Sequence, residues 1–235
     1  METSRFAKGI YQISEWIMRF SVINLLWLLF NLPITYLALH VLLGGSMQQV
    51  QSSMFAIAFV MPFVFFPATA AMFGVTRKWI MGDTTVPLLQ SFWQYYRKNY
   101  VRSLLGGLMI VPIWLGWLFN YFFVVEASAS MLVYCGYLIG SALLSAFTVH
   151  FFSITVHLHM NLFASLKNSL FVSLGKPVIS FGIVLANGLL LYIGFGISTF
   201  FLTFFMGSLS AYICFAGFYR IYSKAMAQLQ NQELD

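Results

Sequence analysis

The sequence predicts an all-α fold: a polytopic membrane bundle of six transmembrane helices, with short amphipathic helices on one side. Three observations predict it. Of 235 residues, 60% are hydrophobic and 8% charged, against about 25% charged in an ordinary soluble domain. Too few polar side chains remain to cover a water-facing surface, so lipid is the main solvent. Apolar stretches of about 20 residues, the length that crosses a bilayer, recur along the chain. All twelve Lys and Arg residues fall in four clusters: Arg5/Lys8/Arg19, Arg77/Lys78/Arg97/Lys98/Arg102, Lys167/Lys176 and Arg220/Lys224. The connections between these clusters on the opposite side hold none. This one-sided bias places both termini on the cytoplasmic side of the membrane.

Each element follows in order. Over residues 1–19, Arg5, Lys8, Gln12, Glu15 and Arg19 recur at steps of three and four, with Phe6, Ile10, Ile13 and Ile17 on the other side. That period predicts a two-faced helix in the headgroup layer, anchored by Tyr11 and Trp16. Glu15 and Arg19 are spaced for a pair within one helix. A six-span transmembrane domain is expected over 20–222, with spans at 20–43, 54–76, 103–125, 131–160, 178–196 and 201–222, then a cytoplasmic tail at 223–235. The apolar run at 20–43 outlasts the core of a cleavable signal and is read as an uncleaved first span.

Span two holds Pro62 and Pro67. Each removes a backbone donor and crowds the preceding turn, which predicts a kinked or broken helix. Gly82-Asp83-Thr84-Thr85 reads as a stop, a turn and a cap, and Pro87 suits the first turn of a new helix. On that helix Leu88, Phe92, Tyr95, Tyr96 and Tyr100 share roughly one side, apart from Gln90, Gln94, Arg97 and Lys98. After span four, Leu162, Leu166, Leu170 and Leu174 form an apolar stripe opposite Ser165, Asn168, Ser169 and Ser173. Gly175 and Pro177 end that helix.

Polar side chains inside a bilayer are expensive and mark either packing or function. The neutral ones are Asn24, Asn31, Asn120 and Asn187, whose first reading is hydrogen bonding between helices. Asn31, Asn120, His150 and Asn187 are the residues that would line a polar pathway. His150 falls in the membrane half of span four with His157 seven residues on. It lacks the i,i+4 histidine and the carboxylate that a helical zinc site uses. Of six acidic residues, Glu2, Glu15, Asp83, Glu233 and Asp235 fall on the basic side and Glu126 on the other. None lies in mid-membrane, which argues against carboxylate-coupled transport and against hydrolysis by paired carboxylates. Cys135 and Cys214 have no metal or redox spacing, and no phosphate-binding loop is present. The expectation is therefore no enzyme, no metal and no cofactor. The net charge of +6 belongs at the headgroups of the bilayer rather than on nucleic acid. Gly136-xxx-Gly140 makes a small-residue face that either packs spans within one chain or joins two copies as a homodimer.

The most specific string is Phe66-Pro67-Ala68-Thr69-Ala70-Ala71-Met72-Phe73, followed by Arg77-Lys78-Trp79 and Gly82-Asp83. With Asn24-Leu25-Leu26-Trp27-Leu28 upstream and Phe92 to Asn99 downstream, it resembles the YesL-type family of bacterial integral membrane proteins. The segment between the first span and the Pro67 motif is longer here than the family pattern implies. The resemblance implies a small multi-pass protein of the bacterial cytoplasmic membrane with no catalytic residues to carry over. It also implies a setting beside polysaccharide degradation and sugar uptake. In the motif, Pro67 opens or kinks a helix, the alanines admit a neighbouring helix, and Thr69 is placed to satisfy a freed carbonyl.

Together these readings favour an accessory protein acting with a carbohydrate uptake or utilisation system through its cytoplasmic face: Arg77, Lys78, Trp79, Phe92, Trp93, Arg97, Lys98 and Arg102. The alternative is a small secondary transporter or channel with a pathway near His150 and the proline-bearing span. Reporter fusions in the 82–86 loop and after residue 232 should both report the cytoplasm; an external 82–86 loop would overturn the orientation.

Overall fold

The computed structural model describes residues 2–43, 46–126 and 130–232. Every described element is helical: α1 Glu2–Phe30, α2 Leu32–Leu42, α3 Met47–Val60, α4 Phe65–Ile80, α5 Leu88–Glu126, α6 Met131–His157, α7 Leu162–Gly175, α8 Pro177–Gly196, α9 Thr199–Phe201 and α10 Gly207–Gln232. A π-helical segment, Leu202–Met206, joins the last two. Five stretches are long and apolar enough to cross a membrane: Gly9–Phe30, Leu88–Val125, Met131–His157, Pro177–Gly196 and Thr199–Gln232. Helices α3 and α4, taken as one span bent by 54°, make a sixth. This is the polytopic α-bundle that the composition predicts. The side chains of Arg5, Lys8 and Glu126, residues 44–45 and 127–129 of the connections expected outside, and tail residues 233–235 lie outside the described residues.

Several helix ends differ from the sequence expectation. The headgroup helix of 1–19 and the start of the first span are one helix, α1, because nothing from Ile10 to Phe30 breaks a helix: the stretch has no Gly or Pro. The break falls instead at Asn31, two residues before Pro33. The helix expected from Pro87 runs without interruption into span three as α5, 39 residues long with Pro112 inside it. Helix α6 ends at His157, and α10 continues helical to Gln232, through most of the expected tail.

Hydrocarbon offers no partner for a freed backbone group, so each break within the bundle has to be closed by protein. At the first, the Asn31 side chain donates from Nδ2 to the Trp27 carbonyl at 2.7 Å, and Thr35 Oγ1 donates to the Asn31 carbonyl at 2.7 Å. At the second, between α3 and α4, the N–H groups of Met61, Phe63, Val64, Phe65, Phe66 and Ala68 all find carbonyls. The two residues in that stretch without a donor are Pro62 and Pro67, so the bend strands no N–H. Pro67 is the third residue of α4 and opens it. Thr69 does not bond a freed carbonyl; its hydroxyl accepts from Trp27 Nε1 at 3.0 Å and so ties α4 to α1.

The third break is the π-helical segment, whose i→i+5 pattern leaves backbone groups out of step with the α-helix that follows. Asn24 of α1, fully buried, supplies the missing partners. Its Nδ2 donates to the Thr203 carbonyl at 2.6 Å and to that of Leu202 at 3.4 Å, and its Oδ1 accepts from Ser208 N–H at 3.0 Å. Gly207 permits this approach: a Cβ there would stand 2.8 Å from Asn24 Oδ1.

The remaining packing places α4 at the centre. Helices α4 and α5 run antiparallel, with Gly74 facing the Tyr95 ring and Gly107 facing Pro62 and Phe66. Helices α5 and α6 are likewise antiparallel, since Gly106 faces Phe151 and Arg102 reaches the carbonyls of Thr155 and Leu158. Phe66, Phe73, Phe151, Phe152, Phe215 and Phe218 fill the space between α4, α6 and α10. Replacing Asn24 by Ala leaves one N–H and two carbonyls short of a partner in this dry interior. A loss of about 1–3 kcal/mol follows, read as a lower melting temperature in detergent, and Asn24→Asp should restore only the bond from Ser208.

Candidate functional site at the basic end of the bundle

The last turn of α6 gathers charged and aromatic side chains from α4, α5 and α10 and a serine hydroxyl from α7. Arg102 of α5 donates from Nη1 to the carbonyls of Leu158, at 2.9 Å, and Thr155, at 3.3 Å, while its Nη2 donates to Ser165 Oγ of α7. Its countercharge is the negative end of the α6 dipole and the unpaired carbonyls there, not a carboxylate. Arg77 of α4 donates from Nε to His157 Nδ1 at 3.1 Å. That bond leaves the His157 proton on Nε2. The rings of Phe215, Phe218, Tyr219 and Tyr222 on α10 surround this imidazole, with centroids 4.6–5.9 Å away. These four positions share one helical face.

A second cluster lies where α1 meets the 81–87 connection. Arg19 donates to the Thr84 carbonyl and pairs with Glu15, the pairing its spacing predicts. Lys78 pairs with Asp83 at 3.5 Å. Trp79 is buried edge-on to Trp16 and Phe20, and its Nε1 has no partner among the described residues.

The expected cytoplasmic face is thus divided. Arg77, Trp79, Phe92 and Arg102 are drawn into the protein. Trp93, Arg97 and Lys98 remain outside on the first half of α5, where Trp93 stacks on Tyr96 at 5.8 Å and 6°. Leu89 and Val101 extend the same exposed surface. The two acidic side chains described there, Glu15 and Asp83, are already paired with Arg19 and Lys78.

The four polar residues of the expected pathway are not brought together. Asn31 bonds within its own helix break. Asn120, exposed, accepts from Tyr137 Oη between α5 and α6. His150 is fully buried, with Nε2 3.1 Å from Ser180 Oγ of α8. Asn187 donates to the Ile183 carbonyl at 2.8 Å and to Cys214 Sγ at 3.1 Å, and accepts from Ser210 Oγ. Each therefore joins its own pair of segments. Of the small-residue face, Gly140 is taken up within the chain: a Cβ there would meet the Trp117 ring at 2.5 Å, and Trp117 Nε1 donates to Ser141 Oγ at 2.9 Å. Gly136 has open space before it.

Helix α7 resolves an ambiguity in its own pattern. Ser165, Ser169 and Ser173 are buried, each hydroxyl bonded to a carbonyl four residues back at 2.6–3.0 Å. Small, internally satisfied serines let α7 approach α6 closely. Phe163, Leu170, Phe171 and Leu174 consequently face outward, and Leu162 and Leu166 are half-buried.

Residues 20–121 match the family described as "Protein of unknown function, DUF624". Among curated proteins of Bacillus subtilis (strain 168), the chain is 36% identical over 145 residues to the uncharacterized protein YteU, covering 58% of this chain and 54% of that protein. It is 27% identical over 229 residues to the uncharacterized protein YesL, covering 97% and 95% of the two chains. It is 26% identical over 189 residues to the uncharacterized protein YesV, covering 79% and 78%. The chain thus spans about half the length of YteU but nearly the whole of YesL. No solved structure matches it.

Arg102→Leu removes the donors to two α6 carbonyls and to Ser165, and should cost about 1.5–3 kcal/mol, the range for hydrogen bonds to a charged group. Arg102→Lys keeps the charge without the planar fork and should recover only part of that loss in a thermal unfolding series.

Proposed function

We propose, from the premise that this chain belongs to the DUF624 (YesL-type) family of membrane proteins of unknown function, that it is a non-enzymatic accessory protein of the bacterial cytoplasmic membrane. It docks a component of a carbohydrate uptake or utilisation system on its cytoplasmic face, with both termini on that side. The observation that carries this reading is the exposed surface of α5, where Trp93, half exposed at 51%, lies beside exposed Arg97 and Lys98. A stacked Trp beside an Arg with no carboxylate partner among the described residues is the side-chain chemistry that dominates protein interfaces. The one-sided distribution of Lys and Arg supports the orientation, and the family setting implied by the motif supports the carbohydrate partner.

The transporter alternative draws on Asn31, Asn120, His150 and Asn187. Their engagement in separate hydrogen bonds favours packing roles for all four, so the accessory reading is carried further. Affinity purification in mild detergent, from cells grown on an inducing sugar, should recover a sugar-uptake component with the wild type. The triple variant Trp93→Ala, Arg97→Glu, Lys98→Glu should lose it at unchanged yield of the bait. Recovery of neither a transporter nor a carbohydrate-active enzyme with the wild type would overturn the proposal.

A further inference from the structure

The end of α6, the C-terminal half of α7 and the middle of α10 line a cleft of about 300 Å³ at the basic end of the bundle. Its walls are Ile154 of α6 and Leu158 just beyond it, Phe171 and Val172 of α7, and Phe218 and Ile221 of α10. The lining residues with polar side chains are Asn168, Lys176 and Tyr222. We infer that this cleft binds an acidic phospholipid, holding one acyl chain against the apolar walls with the phosphate at Lys176.

Three features select that occupant. The first is the level of the cleft. Lys176 caps α8, and the apolar span of that helix begins at the next residue, Pro177. A cleft beside Gly175 and Lys176 therefore sits where a membrane-crossing helix enters the hydrocarbon, which is headgroup depth. The second is the medium around α7. With its serines turned inward, the helix presents Phe163, Leu170, Phe171 and Leu174 outward, and this surface continues onto Val178, Phe181 and Leu185 of α8. A wall flanked by such a surface faces acyl chains rather than water. The third is charge. Lys176 lines the cleft, Lys167 stands over the Phe171 ring at 5.7 Å, and Arg220 and Lys224 are exposed on the same stretch of α10 as Ile221 and Tyr222. None of these four pairs with an acidic side chain among the described residues; the two ion pairs present, Arg19–Glu15 and Lys78–Asp83, belong to the other cluster. Basic pockets between membrane helices on the inner side suit anionic headgroups. The inference uses only the membrane reading and is independent of the partner proposed for α5.

The test is lipid retention by the full-length protein. Protein reconstituted into vesicles of equal parts phosphatidylglycerol and phosphatidylcholine is re-extracted in mild detergent, and the phospholipid that stays bound is identified by native mass spectrometry. The wild type should retain phosphatidylglycerol in preference to phosphatidylcholine, and inorganic phosphate should not displace it. Lys176→Gln should lower retention about fivefold, the effect of one basic residue near an anionic surface. Ala225→Trp, at an exposed position lining the cleft, keeps every charge and fills the space, and should abolish retention; Val172→Phe serves the same purpose if the first variant is not monodisperse. Equal retention by Ala225→Trp and Val172→Phe would overturn the inference, because the headgroup would then be held by surface charge alone. A wild type that carries no phospholipid, carries both lipids equally, or carries a peptide in the cleft would overturn it too.

Discussion

A polypeptide in hydrocarbon has no water to turn to, so every departure from regular helix must be satisfied by the protein itself. Three such departures among the described residues are closed in different ways. At Asn31 a side chain bonds back to its own helix. At the bend between α3 and α4, prolines occupy the positions whose N–H would otherwise be stranded. At Leu202–Met206 the repair comes from another helix, through a single amide that both donates and accepts. The last is the most demanding, because Asn24 lies far along the chain from Thr203, Gly207 and Ser208 and must arrive against them. It ties the first helix to the last, and α4 is packed between them through Trp27–Thr69 and through Met72 against Gly207.

The same constraint shapes the basic end. Two guanidinium groups approach the final turn of α6, and neither meets a carboxylate there. Arg102 is balanced by helix carbonyls and a serine hydroxyl, Arg77 by an imidazole lone pair. Four elements besides α6 contribute to that turn, so the junction acts as a clasp for the basic end of the bundle. Once these arginines are drawn inward, the exposed basic groups among the described residues are Arg97 and Lys98 on α5 and Lys167, Lys176, Arg220 and Lys224 around the α7 cleft. The two surfaces differ in kind. One is flat, aromatic and charged; the other is a hollow with apolar walls and a basic mouth.

Much of this was legible in the residues. Composition and spacing suffice for an all-α membrane bundle, since both follow from what a bilayer permits. Pro62 marks a real bend, and the Glu15–Arg19 spacing marks a real pair. The junctions at residue 19 and residue 102 were not legible as continuous helices, because amphipathic and apolar segments differ in pattern even when one backbone runs through both. The roles of His157 and Asn24 were hidden for another reason. The aromatic face at Phe215, Phe218, Tyr219 and Tyr222 can be read from α10, but nothing local says which side chain it encloses. A buried asparagine likewise does not announce which backbone it will mend.

The sequence by itself determined the solvent of this protein, the helical class and the gathering of charge on one side, because each depends on counts and local order. Tertiary structure alone decided which face of each amphipathic helix turned inward. Helix α7 illustrates the reason. Its leucine and serine faces are equally regular in the sequence, and hydrophobicity would favour burying leucine in water. In a membrane that preference vanishes, since lipid is as apolar as leucine, and close packing of small residues takes over. The serines went in, Leu170, Leu174 and both phenylalanines went out while Leu162 and Leu166 stayed half-buried, and the surface that carries the proposed lipid site was set by that choice.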